Sequence, residues 1–336
     1  MRIAINARLL NCPDFGIRTY LKCLTDHLVK NDGQNEYVLL SDKKQNKLWE
    51  HLYLAGIVNR GGFDVFHSPD HVLPLPRVKC KTVITVHDLS FVKHPELFGA
   101  GKRIYKRFIA PYSVKRADKV IAVSQNTKND IVKLYKTDPA KITVVYNGAG
   151  NEFFKIGDKD VLDQARNKYG LTDNYILFVG TIEPRKNIIN LIKAFKKSAA
   201  TRGLVIVGKK GWLSDPIIRE IKDHNGADKI LWIDNVETKD LPALYSMASL
   251  LVYPSLYEGF GLPILEAMAC GVPVITSNIS SMPEVAGDAA VLIDPNGIDE
   301  IAKAIKDVLG DEHLRQSLIS KGYQQAKKFS WEKCAK

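Results

Sequence analysis

Tyr253-Pro-Ser-Leu-Tyr-Glu258-Gly-Phe-Gly261-Leu-Pro-Ile-Leu-Glu266-Ala-Met-Ala-Cys-Gly-Val-Pro-Val-Ile-Thr276 is the stretch on which the reading of this chain turns. An apolar strand ending at Tyr253 runs into a loop holding Gly259 and Gly261, and Pro263 then opens a helix where its missing N–H costs nothing. Glycines let a ligand approach the backbone, and a helix start offers unpaired N–H groups with positive potential. Together these make a seat for a diphosphate, with the backbone N–H groups of Phe260, Gly261 and Leu262 as its donors. Two carboxylates frame it, Glu258 in the loop and Glu266 in what the pattern places as the first helical turn. An acid at a helix start also serves simply as a partner for the helix dipole, so Glu266 has a bland reading beside the functional one.

Working outward, the chain alternates short β-branched runs with helical patterns, which predicts an α/β architecture of parallel sheets covered by helices on both faces. Strands are expected at 2–6, 37–40, 65–67, 81–86, 119–123 and 142–145 in the first half. In the second half they are expected at 176–179, 203–207, 230–233, 250–253, 272–276 and 290–293. The polar stretch from Asn147 to about Asp160 separates the two sets, and 336 residues suit about two domains. The expected domains are 1–150 and 151–320, followed by a helical segment 321–336. In open sheets of this kind ligands bind outside the carboxyl ends of the strands, so the loops that follow them are the places to look.

Composition narrows the function classes. With 45% hydrophobic and 25% charged residues the chain reads as a globular protein, and no apolar run reaches the roughly 18–20 residues of a membrane span. The start, Met1-Arg2-Ile3-Ala4-Ile5-Asn6, reads as a strand rather than a secretory signal, so a cytoplasmic location is expected. Five cysteines, odd in number and without a Cys-x-x-Cys pair, argue for reduced thiols rather than disulfides or a metal site. A net charge of +11 calls for an anionic partner. Residues 98–119 interleave Lys102, Arg103, Lys106, Arg107, Lys115 and Arg116 with Ile104, Tyr105, Phe108, Ile109 and Tyr112. Such a stretch either lies on an anionic membrane surface or packs on the core with a solvated basic face. Peripheral membrane contact, at the inner face, is therefore one expectation; nucleic acid is not an expected partner.

Glu, seven residues, Glu, with Gly-Phe-Gly-Leu-Pro between, resembles the signature of the retaining GT-B glycosyltransferases of family 4, which use nucleotide-sugar donors. Further stretches match in order: Gly16-Ile17-Arg18-Thr19-Tyr20, Val86-His87-Asp88-Leu89-Ser90-Phe91, Ala122-Val123-Ser124, Val145-Tyr146-Asn147-Gly148 and Gly180-Thr181-Ile182-Glu183-Pro184-Arg185-Lys186-Asn187. They span nearly the whole chain. The resemblance implies two Rossmann-like doubly wound domains facing across a cleft, the first on the acceptor side and the second holding the donor. It also implies a terminal helix that crosses back to brace the first domain, where this chain is shorter by about one helix.

The resemblance assigns roles residue by residue. Glu258 contacts the donor sugar near the reaction centre, and Glu266 holds the ribose hydroxyls, a task suited to a carboxylate because it accepts two hydrogen bonds from a cis-diol. Lys186, Arg185 and the loop at Gly180 take the donor diphosphate, whose departing charge must be stabilised. Members often carry an arginine directly after that glycine, where this chain has Thr181. His87 lies close to the donor sugar, and Asp88 orients the acceptor or the histidine. Gly16 lies in the first strand-to-helix connection, near phosphate or acceptor, and Arg18 stands where a second glycine is common. Lys209 or Lys210 approaches the donor, and the base lies near Asp234-Asn235-Val236, with Asp234 in place of a common glycine. The resemblance further implies that no protein nucleophile, no cofactor and no essential metal is needed. Asp158-Lys159-Asp160 matches the metal-binding tripeptide of a different transferase fold, but it lies in the polar hinge, away from other oxygen ligands.

The implied activity is transfer of a hexose, mannose foremost, from a nucleotide-diphosphate-sugar to a glycan or lipid-linked acceptor, as in mannosyltransferases that extend surface polysaccharides. Phe66-His67-Ser68-Pro69 supports that subclass, and GDP-mannose is the donor to test first. Two other readings stand beside it: a nucleotide-sugar epimerase on the same scaffold, which needs no acceptor, and a non-catalytic nucleotide-sugar sensor, whose mark would be loss of the carboxylates or cations, whereas Glu258, Glu266 and Lys186 are all present. The acceptor pocket would come from loops such as 10–15 and 68–76, which carry no interpretable motif.

Overall fold

A computed structural model describes residues 1–11, 15–42, 48–223 and 230–336. Among the described residues the chain forms twelve strands: β1 (Arg2–Asn6), β2 (Glu36–Leu40), β3 (Val65–Ser68), β4 (Lys81–Val86), β5 (Lys119–Ala122), β6 (Ile142–Val144), β7 (Tyr175–Val179), β8 (Leu204–Val207), β9 (Ile230–Ile233), β10 (Ala248–Tyr253), β11 (Val274–Ser277) and β12 (Ala290–Ile293). They build two six-stranded sheets, ordered β2-β1-β3-β4-β5-β6 and β12-β11-β10-β7-β8-β9, with every pairing parallel. Each strand falls where the sequence places one, with edges shifted by a residue or two. Parallel strands need a crossover, and the helical segments between them supply it. Because both faces are covered, the central strands read as unbroken apolar runs: Leu204 to Val207 is buried along its whole length.

In the second sheet Leu177 lies opposite Val205 on one side and Leu251 on the other, so β7 is the centre from which strand order runs both ways. The chain builds outward through β8 and β9, then returns to pair β10 on the far side of β7. That reversal opens a crevice at the carboxyl ends of β7 and β10, the switch point of a doubly wound sheet. The first sheet has the same plan, with its reversal between β1 and β3.

The chain divides into two compact units. The first comprises residues 1–95, 100–148 and 331–336, and the second 96–99 and 149–330. The helix Glu312–Ala326 packs in the second unit, where Gly322 meets Met268, whereas Trp331–Ala335 lies in the first, its Trp331 ring edge-on to Tyr20 at 6.0 Å. The final segment thus splits between the units at 330/331, some ten residues later than the expected start of a terminal helical segment at 321. No described helix is long and apolar enough to cross a membrane.

Candidate active site

Two loops meet at the β7/β10 switch point, and their side chains are sorted by which strand they follow. After β7 the chain passes Gly180, forms a short helical turn at Pro184–Lys186, and reaches Asn187, whose left-handed conformation (φ 59°) starts the helix Ile188–Ser198. Asn187 is buried and its side-chain amide donates to the carbonyls of Pro254 (3.1 Å) and Pro295 (2.6 Å), tying the loop to the ends of β10 and β12. The Leu256 N–H donates to the Arg185 carbonyl (2.9 Å), and the Arg185 guanidinium donates to the Tyr257 carbonyl (2.7 Å). The second loop then carries Glu258 to Gly261. Gly261 has φ 104°, open to glycine but strained for other residues, and it precedes the helix Leu262–Ala269.

Arg185, Lys186 and Glu258 form one buried ionic cluster. Glu258 Oε2 accepts from Arg185 (2.7 Å), and Oε1 accepts from Lys186 Nζ (2.6 Å) and from the Tyr253 hydroxyl (2.9 Å). Glu183 adds a second carboxylate, 2.6 Å from the Arg185 guanidinium. Burial alone would push the Glu258 carboxyl up, but the two cations and their hydrogen bonds outweigh it and hold it at about 2. Glu183 goes the other way: desolvation dominates and raises it. Desolvation also lowers Lys186, which Glu258 partly offsets. Lys186 donates to the Tyr253 hydroxyl (2.6 Å) and sits 4.9 Å from the centre of that ring. Two cations thus face two carboxylates, and an incoming diphosphate would compete with Glu258 for both. Such a cluster is costly to bury and costlier to break.

Two serines that carried no signal in the sequence fix the glycine turn. Ser280 Oγ donates to the Glu258 carbonyl (2.6 Å) and accepts from its N–H (3.1 Å), while Ser281 Oγ reaches the carbonyls of Glu258 and Phe260, both at 2.9 Å. Gly259 and Phe260 are buried, and Phe260 meets Phe329 edge-on at 5.8 Å. Tyr253, Ser280 and Ser281 are too ordinary in a single sequence to be singled out, and Glu183 and Asn187 were visible only as letters inside a motif.

Glu266 is the fifth residue of its helix rather than part of the first turn, because the helix begins at Leu262. It is half-buried, accepts from the Tyr245 hydroxyl (2.7 Å), and burial pushes its carboxyl up to about 7. The loops after β8 and β9 join the same edge. Gly208 passes so close to the Gly180 carbonyl that a Cβ there would lie 1.8 Å from its oxygen, and the Ile182 N–H donates to Lys209 (2.8 Å). Lys210 pairs instead with Asp215 (2.7 Å) on the exposed surface. Asn235 is exposed and Val236 buried just past β9, where Asp234 accepts from the Lys210 N–H (3.3 Å). Asp158 caps the helix Lys159–Tyr169 by accepting from the Asp160 N–H (2.9 Å), so the Asp-x-Asp tripeptide has a structural task at a helix start.

In the first unit His87 and Asp88 follow β4 as expected. His87 Nε2 lies 2.9 Å from the Pro69 carbonyl, which makes it the donor and leaves Nδ1 as an acceptor, and Tyr20 packs edge-on against the ring at 4.7 Å. Desolvation lowers the His87 pKa and favours the neutral ring. Asp88 has one oxygen committed to the N–H (2.9 Å) and hydroxyl (2.5 Å) of Ser90, at the start of the helix Ser90–Lys93. Gly16 is not in a connection: it is exposed in the first turn of the helix Phe15–Asn31, with open space where a Cβ would stand. Among the described residues, apart from its chain neighbours and its helix's own backbone, none lies within 4 Å of that position. Around His87 lie His67 and Tyr20, which the sequence showed only as letters inside motifs, and other groups that it did not mark. His67 and Tyr20 both bond Thr85 Oγ1, at 2.9 and 3.0 Å, and burial takes His67 down to about 4. His71 Nδ1 pairs with Asp70 at 2.6 Å; burial opposes ionisation of that carboxyl, but His71 and Lys106 hold it well below the usual range. Residues 12–14 of the expected acceptor-side loop 10–15, Cys12 among them, lie outside the described residues.

Comparison with known proteins gives the family and the fold. Residues 162–325 match the family model of glycosyl transferases group 1, and residues 24–150 that of glycosyltransferase family 4. The chain is 35% identical over 275 residues to O-antigen chain mannosyltransferase B of Escherichia coli, covering 80% of this chain and 71% of that protein. It belongs to the family 4 glycosyltransferases. Within that family it is also 34% identical to the O-antigen chain mannosyltransferase RfbU of Salmonella typhimurium, over 76% of this chain and 68% of the relative. Sucrose-phosphate synthase from Thermosynechococcus elongatus superposes with a TM-score of 0.80 at 20% identity, covering 100% of this chain and 96% of that one, which establishes the GT-B fold. A family 4 glycosyltransferase of GT-B fold is an enzyme, and the switch-point cluster of the second unit is its candidate centre.

Proposed function

We propose that this glycosyltransferase moves a hexose, mannose foremost, from a nucleotide-diphosphate-sugar to a glycan or glycolipid acceptor with retention of the anomeric configuration. The observation that supports it best is the buried Arg185–Glu258–Lys186 cluster at the β7/β10 switch point. In this reading the donor diphosphate takes over the two cations, and the charge it gains as the sugar leaves falls where fixed positive charge already waits. Glu258, ionised throughout the working pH range, then turns its carboxylate to the hydroxyls of the donor sugar. Glu266 accepts from the ribose diol, and the N–H groups of Phe260, Gly261 and Leu262 meet sugar and phosphate. Asn235 and Val236 border the base. On the first unit, His87 and Asp88 serve the sugar and the acceptor, and the departing phosphate takes the acceptor proton, so no protein nucleophile or essential divalent ion is required.

The names of the two O-antigen relatives described above, both mannosyltransferases, make GDP-mannose the first donor to try. The cytoplasm is the compartment in which such a donor would be met, at the inner face of the membrane. A panel of nucleotide-sugars, read by thermal stabilisation and by nucleoside diphosphate release, tests the donor, and the product anomer read by NMR tests retention. GDP-mannose is expected to stabilise the protein and to turn over, unchanged by EDTA. An inverted product would refute the retaining chemistry. Epimerised sugar formed without any acceptor would refute transfer.

A further inference from the structure

The helix Ala100–Arg116 has two faces that its sequence alone does not tell apart. Ile109, Ala110, Ser113 and Val114 are buried, so one side packs on the first unit. Ile104, Phe108 and Tyr112 recur at every fourth residue, spanning roughly 80° of the helix surface, and they face outward. Their exposures are 54%, 73% and 38%. Leu75, 46% exposed, adjoins this stripe, because Tyr112 and Arg116 both donate to its carbonyl, at 3.1 and 3.0 Å. A core-packed amphipathic helix would present charge on that side. Here a large aromatic residue stands in its middle, with exposed Arg107 and Lys115 on the same side.

Positive charge continues past the stripe. Arg116, which bonds the Pro74 carbonyl (2.9 Å), also lines a cavity of about 540 Å³ whose other walls include Arg77, Lys79 and Lys81. Two acids, Asp64 and Asp118, share that cavity. Asp64 accepts from the Arg2 N–H (2.7 Å), and Asp118 is bonded to Lys81 (3.0 Å) and the Thr82 N–H (2.8 Å). The cations therefore outnumber the acids along this flank. Exposed apolar side chains rimmed by lysine and arginine suit a surface that is anionic outside and apolar beneath.

We infer that the stripe Ile104–Phe108–Tyr112, with Leu75, is the seat by which this enzyme docks on an anionic lipid bilayer, the rings and aliphatic groups entering the interface while Arg107, Lys115 and the Arg77–Lys79 flank meet the headgroups. The inference goes beyond the proposed transfer reaction and rests on it only for its purpose, to bring the catalyst to a lipid-linked acceptor.

Flotation of the full chain with vesicles of phosphatidylcholine alone, or with one third phosphatidylglycerol, tests it. Binding is expected to the anionic vesicles only, and to weaken at least tenfold in 0.5 M salt. The pair I104D/F108D, and separately R107E/K115E, should each lower partition at least tenfold without shifting the melting temperature, since all four side chains are exposed. Wild-type protein that leaves anionic vesicles unbound, or an I104D/F108D variant that floats like wild type, would overturn the inference. So would a concentration-dependent dimer that this variant abolishes without change in flotation, which would mark the stripe as a contact between two copies. Transfer to a water-soluble acceptor, measured alongside, should be equal in wild type and variants. Its absence in all of them would count against the transferase reading and leave the flotation result standing.

Discussion

Glu258 is 7% exposed and holds two cations, so its charge matters as much as its reach. Replacing it by glutamine leaves Lys186 and Arg185 buried with Glu183 alone, and removing one partner of such a cluster costs about 3–5 kcal/mol. Glu258→Gln is therefore expected to lower the melting temperature by several degrees and to abolish transfer. A variant as stable and as active as wild type would remove the residue from both roles. Glu266 predicts a pH effect of definite sign. Its folded pKa, about 7, lies above the ordinary 4.5, so the folded state keeps a proton that the unfolded chain releases. Stability from this group is fully present below pH 4.5 and is lost as pH rises through 7. Donor affinity moves oppositely, because the diol needs the ionised carboxylate. Wild-type denaturation and donor titration between pH 5.5 and 8.5 should show these trends, and Glu266→Gln should flatten both.

Among elements, the loops that leave β7, β8 and β9 are laced into one edge, and Gly208 is where they come closest. A methyl group cannot stand 1.8 Å from the Gly180 oxygen, so Gly208→Ala must push the two loops apart. We expect a loss of about 2–3 kcal/mol in chemical denaturation together with weaker donor binding; unchanged values for both would show that the edge yields freely. The strands themselves were legible in the sequence, because a strand buried on both faces is an unbroken apolar run between turn residues. The helix Ala100–Arg116 was legible as an element, but not in its orientation. Its apolar residues lie all round it, so periodicity could not say that Ile109 and Val114 go inward while Ile104 and Phe108 stay out. The Asp158-Lys159-Asp160 tripeptide, set aside as a metal motif in the sequence, has a task that only the backbone shows, because Asp158 caps the helix Lys159–Tyr169.

At the scale of the whole molecule, the chain crosses between its two units more than once, and its last helix, Trp331–Ala335, belongs to the first. Trp331 is 2% exposed and lies against Tyr20, itself fully buried. Trp331→Ala should cost about 3–5 kcal/mol, and the loss should show as faster amide exchange in the helix Phe15–Asn31, packed beside Trp331–Ala335. Protection there equal to wild type would mean that the last helix contributes nothing to the first unit. The sequence by itself determined two parallel doubly wound sheets and the glycine turn with its two acids. It also determined the cation pair, because strand periodicity, glycine and charge are local properties written in adjacent residues. Only the tertiary structure decided that Arg185, Lys186, Tyr253 and Glu258 form one buried cluster, that Ser280 and Ser281 clamp the turn, and which side of the basic helix meets solvent. Those facts depend on strand order: β7 and β10 are neighbours only because the chain reverses direction across the sheet, and no local pattern records which residues that reversal will bring together.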